Sequence, residues 1–283
     1  MRVIKNVNRI YTGKKTQEIS DYEIQNRRVA REAAAEGMVL LENCEHILPL
    51  QPGSKVALYG SGAVKTIKGG SGSGDVNERE TISIWAGMKN AGYKIVNEDW
   101  LSDYKCLYEI EKRAWRDRIL EITGNREHAA FFRTFASHPF QIPAGSVPNL
   151  EKVKEYDCDI AFYIISRTAG ESADRKCQKG DYYLSDEELQ VLDGVCKCYS
   201  NVILVLNSGG IIDLGFKDCY PSIKAVIQMG QCGMESGNAF ADVVSGKVTF
   251  GGHLTDTWAF RYEDYPNATT FSYMDGNVHK EYY

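Results

Sequence analysis

Apolar and polar positions along this chain fall into two rhythms. Four short runs are almost continuously apolar: "KVALYG" at 55–60, "DIAFYII" at 159–165, "NVILVLNSGG" at 201–210 and "IKAVIQMG" at 223–230. Runs of that length, bounded by turn residues, are expected of strands buried on both faces. "YKIV" at 93–96 reads as a shorter strand of the same kind. Between these runs apolar residues return every three or four positions. Residues 21–43 read as a helix capped by Ser20 or Asp21, with Val29, Ala33, Met38 and Leu41 along one face. Residues 82–92 and 101–122 read as two more helices. Ser185 and Glu188 form a capping box, and Leu189, Leu192, Cys196 and Tyr199 follow at helical spacing. "GMESGNAFADVVSG" at 233–246 reads as a last helix.

Three stretches stand outside this alternation. "GSGAVKTIKGGSGSGD" at 60–75 is too rich in glycine for helix or strand and reads as loop. Residues 123–150 lack periodicity and contain several prolines, which predicts an irregular excursion with some aromatic packing. After "HLTDTW" the chain is polar and aromatic without a clear period. Strands alternating with helices from 55 to 247 predict an α/β fold: a three-layer α/β/α sandwich with a mostly parallel sheet.

Composition narrows the function classes. The chain has 283 residues, 43% of them hydrophobic and 25% charged, an ordinary globular balance. A net charge of −5 argues against nucleic acid as a partner. No apolar run approaches the ~20 residues of a membrane span, and "MRVIKNVNRIYTG" lacks the apolar core of a secretion signal. A cytoplasmic location is therefore expected, with the eight cysteines as reduced, largely buried thiols. Cysteines and histidines show no metal-ligand spacing, and His138 reads as a packed loop residue. Asn267-Ala268-Thr269 fits a glycosylation sequon, which carries no weight without a signal peptide.

In a parallel α/β sheet, function gathers where strands end at their carboxyl termini. The loops there are 60–75, 166–182 and 207–213. The first is not a phosphate loop, since no Gly-Lys-Ser/Thr follows, and Lys65 stands where a dinucleotide fingerprint needs its third glycine. Its glycines instead let backbone and two small hydroxyls approach a polar ligand closely. The second holds Glu171, Asp174 and Arg175. These residues fit a solvated surface cluster as readily as a catalytic acid, and Arg167 and Arg175 are charges that would favour a fixed anion over an acid. From the residues alone, the reading ends at a carboxylate near a glycine-hydroxyl loop at one end of the sheet.

Four separated segments, in order, resemble the α/β sandwich domain of glycoside hydrolase family 3, the β-glucosidase family. They are "REAAAEGMVLLENCEHILPL", "KVALYGSGAVKTIKGGSGSGD", "ISRTAGESADRKCQKGDYYLSDEEL" and "MGQCGMESGNAFADVVSGKVTFGGHLTDTW". The resemblance implies that Glu171, in Gly-Glu-x-x-Asp-Arg, is the general acid/base and that Ser73, with Gly72 beside it, reaches the sugar. It implies a β-glucoside or oligosaccharide substrate, and neither a cofactor nor a metal. Ser172-Ala173 depart from the usual Gly-Tyr, and Thr249-Phe250-Gly251 and "LTDTW" replace the family's closing pattern. The resemblance also implies domains that this chain lacks. The nucleophilic aspartate of the family sits on a separate (β/α)₈ barrel. Ser20-Asp21-Tyr22 and Ser102-Asp103-Tyr104 mimic its motif, but each opens a predicted helix, where Ser-Asp is ordinary capping. The expected division is an extension at 1–21, the sandwich at 22–260, and a tail at 261–283 leading toward a fibronectin-like domain and the barrel. Starting at Met1, that arrangement places the sandwich first, a permuted domain order. The other readings are a non-catalytic carbohydrate-binding or structural α/β module, and a nucleotide-binding α/β domain.

Overall fold

The computed structural model describes residues 18–71, 74–76, 78–124, 133–134, 137–168 and 175–268. A six-stranded sheet forms its middle layer. The strands are β1 (Val39–Asn43), β2 (Lys55–Tyr59), β3 (Lys94–Ile95), β4 (Ile160–Arg167), β5 (Asn201–Ser208) and β6 (Ile223–Gln228). Their order is β1-β6-β5-β4-β2-β3, and every pair is parallel except β1 with β6. The helices are α1 (Asp21–Gly37), α2 (Ser61–Val64), α3 (Ile84–Asn90), α4 (Glu98–Thr123), α5 (Leu150–Glu155), α6 (Asp186–Cys198) and α7 (Ser236–Val244).

Alternation along β4 shows why both faces are covered. Side chains of neighbouring strand residues point to opposite faces. Phe162 meets Phe240 of α7 edge-to-face at 5.8 Å between centroids, while the Tyr163 hydroxyl donates to the Glu188 carbonyl of α6 at 2.8 Å. One outer layer therefore contains α7 with α1 and α3 packed against it, and the other contains α4 and α6. The second layer is aromatic: Trp100 stacks on Tyr104 at 5.4 Å, and the Tyr59 and Tyr199 hydroxyls meet at 3.0 Å. Burial raises the pKa of both phenols, so they stay neutral donors and acceptors in the core. This is the three-layer sandwich expected from the alternation of apolar runs and helical periods.

Five expectations are corrected. The helix over 21–43 ends at Gly37, and Val39–Asn43 is a strand paired antiparallel with β6. The apolar Val-Leu-Leu run extends a helical pattern as well as it fits an edge strand, and only the free edge of β6 chooses. The glycine-rich loop contains one helical turn, α2, directly after β2. Ser102 and Asp103 cap nothing, because α4 begins at Glu98 and Ser102 donates back to the Glu98 carbonyl at 2.8 Å. Ser20, by contrast, caps α1 in a full box with Glu23. The cysteines are free but not generally buried: Cys44, Cys106, Cys177 and Cys219 are exposed, and Cys158, Cys196, Cys198 and Cys232 are half-buried. His138 is likewise exposed, its carbonyl accepting from the Trp115 indole at 2.7 Å. Nearby, Phe140 packs on Tyr108 and Trp115, the aromatic contact expected of the excursion. Among the described residues no helix is long and apolar enough to cross a membrane.

Candidate functional site

The sheet winds outward in both directions from β2, which pairs with β3 on one side and β4 on the other. In open α/β sheets the ligand crevice forms outside the carboxyl ends of the strands at such a reversal. The chain leaving β2 here begins the glycine-serine loop, and the chain leaving β4 begins the loop of Glu171. Gly60 turns the first of these with φ of 86°, and a Cβ there would lie 2.3 Å from the Ile164 carbonyl oxygen of β4. Only glycine fits between the two strand ends.

After α2 the loop is tied down residue by residue. The Thr66 hydroxyl donates to the Gly62 carbonyl at 2.6 Å and accepts from the Ile84 amide at 2.8 Å, joining it to α3. The Lys68 ammonium then reaches Asp75 at 3.3 Å, and also bonds Glu78 and the Val76 carbonyl. The hydrogen bond from Lys68 holds the Glu78 carboxyl below its ordinary pKa, helped by the Thr81 hydroxyl. One cation thus closes the glycine-serine loop across its base.

Asn207 connects this loop to the rest of the crevice. It is fully buried at the exit of β5. Its Oδ1 accepts from the Ile67 amide at 2.6 Å and the Ser166 hydroxyl at 3.0 Å. Its Nδ2 donates to the carbonyls of Ile67 at 2.9 Å and Gly230 at 2.7 Å. A side-chain amide offers two donors and two acceptor lone pairs, and here all four are used. The exits of β4, β5 and β6 and the glycine-serine loop are joined through one carboxamide.

The loop of Glu171 is anchored at both feet by arginine. Arg167, buried at the end of β4, forks onto Glu188 with both contacts at 2.6 Å and donates to the Asp181 carbonyl at 3.0 Å. Glu188 also accepts from the Ser185 amide at 2.8 Å, so the same carboxylate caps α6 and pins β4. Arg175 pairs with Asp181, whose other oxygen accepts the Lys176 amide at 2.7 Å. Neither arginine is a solvated surface charge, and each is matched by a carboxylate other than Glu171. Glu171, Ser73 and Gly72 themselves lie outside the described residues. Asp181 and Asn207 had no assigned role in the sequence, and Glu188 only a capping one. The available signals were a polar residue at the end of each apolar run, Arg167 after β4 and Asn207 within the "VLNSGG" exit of β5.

The model of the glycosyl hydrolase family 3 C-terminal domain matches residues 38–283. The chain belongs to this family. It is 32% identical over 269 residues to β-glucosidase A of Butyrivibrio fibrisolvens, and 34% identical over 256 residues to a β-glucosidase of Ruminococcus albus. These alignments cover 87% and 89% of the chain but only 30% and 25% of the relatives, so this family 3 domain spans roughly a quarter to a third of their length. Among solved structures, a β-glucosidase from Paenibacillus barengoltzii superposes with a TM-score of 0.71 at 29% identity, covering 87% of this chain and 25% of that one. β-Glucosidase 3B of Thermotoga neapolitana, in complex with α-D-glucose, gives a TM-score of 0.68 at 34% identity, over 85% of this chain and 32% of its own.

Proposed function

We propose that this family 3 domain supplies the general acid/base of a retaining, β-glucosidase-like glycoside hydrolase, and that Glu171 is that residue. One observation supports this most: the Gly-Glu-x-x-Asp-Arg segment follows β4 at the winding reversal of the sheet, the glycine-serine segment follows the adjacent β2, and the described residues flanking Glu171, Arg167 and Arg175, are both fixed. A retaining hydrolase needs two carboxylates about 5–5.5 Å apart. In this proposal the nucleophile comes from a barrel domain outside this chain, consistent with the relatives being several times longer. Glu171 protonates the glycosidic oxygen as the nucleophile attacks the anomeric carbon and the aglycone leaves. It then takes a proton from the water that attacks the glycosyl-enzyme, freeing the sugar and the nucleophile. Gly72 and Ser73 approach the sugar, and no cofactor enters the reaction.

The test is Glu171→Gly in the barrel-bearing enzyme, on an aryl β-glucoside with a good leaving group, with and without azide. Such a group leaves without protonation, so the glycosyl-enzyme accumulates for want of a base. Azide needs no base and should restore turnover, giving a glycosyl azide of retained configuration. Unchanged activity without azide would return Glu171 to the role of a surface carboxylate, and the domain to a non-catalytic sugar-binding module.

A further inference from the structure

We propose that Arg175 and Asp181 are a positioning pair: they fix the second foot of the Glu171 loop against the exit of β5, through the shape of the guanidinium rather than through its charge. The inference rests on the assignment of Glu171 above only for its catalytic consequence. The latch itself lies wholly in described residues.

The Arg175 guanidinium spreads over two loops at once. Its Nε pairs with one Asp181 carboxylate oxygen. Its Nη2 donates to the Asp181 carbonyl at 2.9 Å and to the Ile211 carbonyl at 3.1 Å, and its Nη1 faces the Ser208 hydroxyl at 3.4 Å. Ser208 is itself fixed, accepting from the Gly210 amide at 3.2 Å and donating to the Gly210 carbonyl at 3.0 Å. Gly210 leaves the room: a Cβ there would stand 2.8 Å from Nη1. Around this core the Lys176 amide bonds Asp181, the Tyr182 amide reaches the Lys176 carbonyl at 3.3 Å, and the Asp213 amide reaches the Tyr182 carbonyl at 2.9 Å. The stem 175–182 and the loop 208–213 are thus one hydrogen-bonded unit.

Planarity makes this latch specific to arginine. A rigid fork can satisfy a carboxylate, two carbonyls and a hydroxyl lying around one plane, whereas an ammonium is a point charge that reaches fewer of them. The Asp181 carboxylate balances the charge of Arg175 at contact distance, so little of it is left to act on a third group. What the pair gives the loop is a fixed end. With the other foot clamped by Arg167 and Glu188, only a short span separates two rigid points. Misplacing a catalytic group by about 1 Å is enough to cost on the order of a hundredfold in rate.

The substitution Arg175→Lys keeps the charge and removes the fork, and two measurements read the result. In this 283-residue chain, hydrogen exchange at the Lys176 and Tyr182 amides should quicken by about tenfold or more while the urea midpoint stays close to that of the parent. Asp181→Asn should move the same amides in the same direction. Unchanged exchange in both variants would overturn the latch. In the barrel-bearing enzyme, Arg175→Lys should lower kcat by about 10–100-fold with little change in KM. The alkaline limb of the pH profile, which the general acid sets, should stay in place. An unchanged kcat, or a moved limb with the plateau intact, would overturn positioning by shape. Glu171→Gln in the same enzyme is the control: full activity there removes the assigned acid, while the exchange result still decides the latch.

Discussion

Replacing Glu188 by glutamine should destabilise this domain far more than its single lost charge suggests. Both side chains of the Arg167–Glu188 pair are about nine-tenths buried, with exposures of 10% and 11%, and both fork contacts are 2.6 Å. The pair joins β4 to the first turn of α6, and glutamine preserves much of that geometry. It is nearly isosteric, it can still cap Ser185, and it keeps one acceptor oxygen. What it cannot do is neutralise Arg167, whose remaining partners are the carbonyls of Ser166 and Asp181. Breaking a buried pair from one side costs about 3–5 kcal/mol, because the other charge is left uncompensated. With a urea slope near 3 kcal/mol per molar, the upper end for small proteins, that is a midpoint lowered by roughly 1–1.7 M. The double substitution Arg167→Met with Glu188→Leu removes both charges and should recover most of the loss, less about 1 kcal/mol for the missing cap. Equilibrium urea unfolding followed by far-UV circular dichroism measures all three proteins. A loss under about 1 kcal/mol for Glu188→Gln, or a double variant less stable than the single, would refute the buried-charge argument.

Other substitutions and conditions test separate parts of the structure. Asn207→Asp turns two donors toward the Ile67 and Gly230 carbonyls into acceptors, and should destabilise by about 1–3 kcal/mol for each carbonyl left unpaired; urea unfolding that matches the parent would remove Asn207 as the hub. The Glu23 carboxyl is held down at about 2 by its bonds with Arg79 and the Ser20 amide. Its lowered folded value means that this contribution to docking α1 is present above the unfolded carboxyl pKa and fades as pH falls from about 4.5 toward 2. Carboxyl NMR titration should show it, and a midpoint near 4.5 would contradict the capping-box and Arg79 contacts. Cys44, Cys106, Cys177 and Cys219 should react with a thiol reagent in the native protein well before Cys196 and Cys232, whose thiols burial pushes up to about 11. Equal rates for both sets would overturn that division.

How much of this was legible depended on whether a signal was local. β4, β5 and β6 were visible because strands buried on both faces read as unbroken apolar runs, and α6 because its capping box spans three residues. β1 was not, because Val39–Asn43 becomes a strand only through β6, far along the chain, and the aliphatic run before it fits a helix equally well. α2 was hidden by glycines that serve the close passage over β4. At the site, the two loops were identifiable from their composition, but what holds them was not. Asn207 reaches Ile67 across 140 positions, and Arg175 reaches the Ile211 carbonyl across 36. Arg167 and Arg175 read as charges acting on Glu171 because nothing in a sequence shows which carboxylate will fold against each. Roles for Glu171, Ser73 and Gly72 came from the family resemblance, since no local pattern separates a catalytic carboxylate from a solvated one.

The pairing of β1 with β6 also sets an order of events during synthesis. Within this domain β1 leaves the ribosome before the other strands, yet its partner β6 emerges roughly 180 residues later, on the order of ten seconds or more at usual elongation rates. Until then an aliphatic segment has no native neighbour, and an unpaired strand of this kind is a template for association with other chains. The acidic and polar residues around it, Glu36 before and Glu42, Asn43 and Glu45 within and after, are the sort of gatekeepers that lower that risk. The last parallel strand to be made is therefore the one that captures the first strand, and α7, following at once, brings Asp242 to Arg31 and Glu235 to Arg27 to lock the leading helix over the same edge.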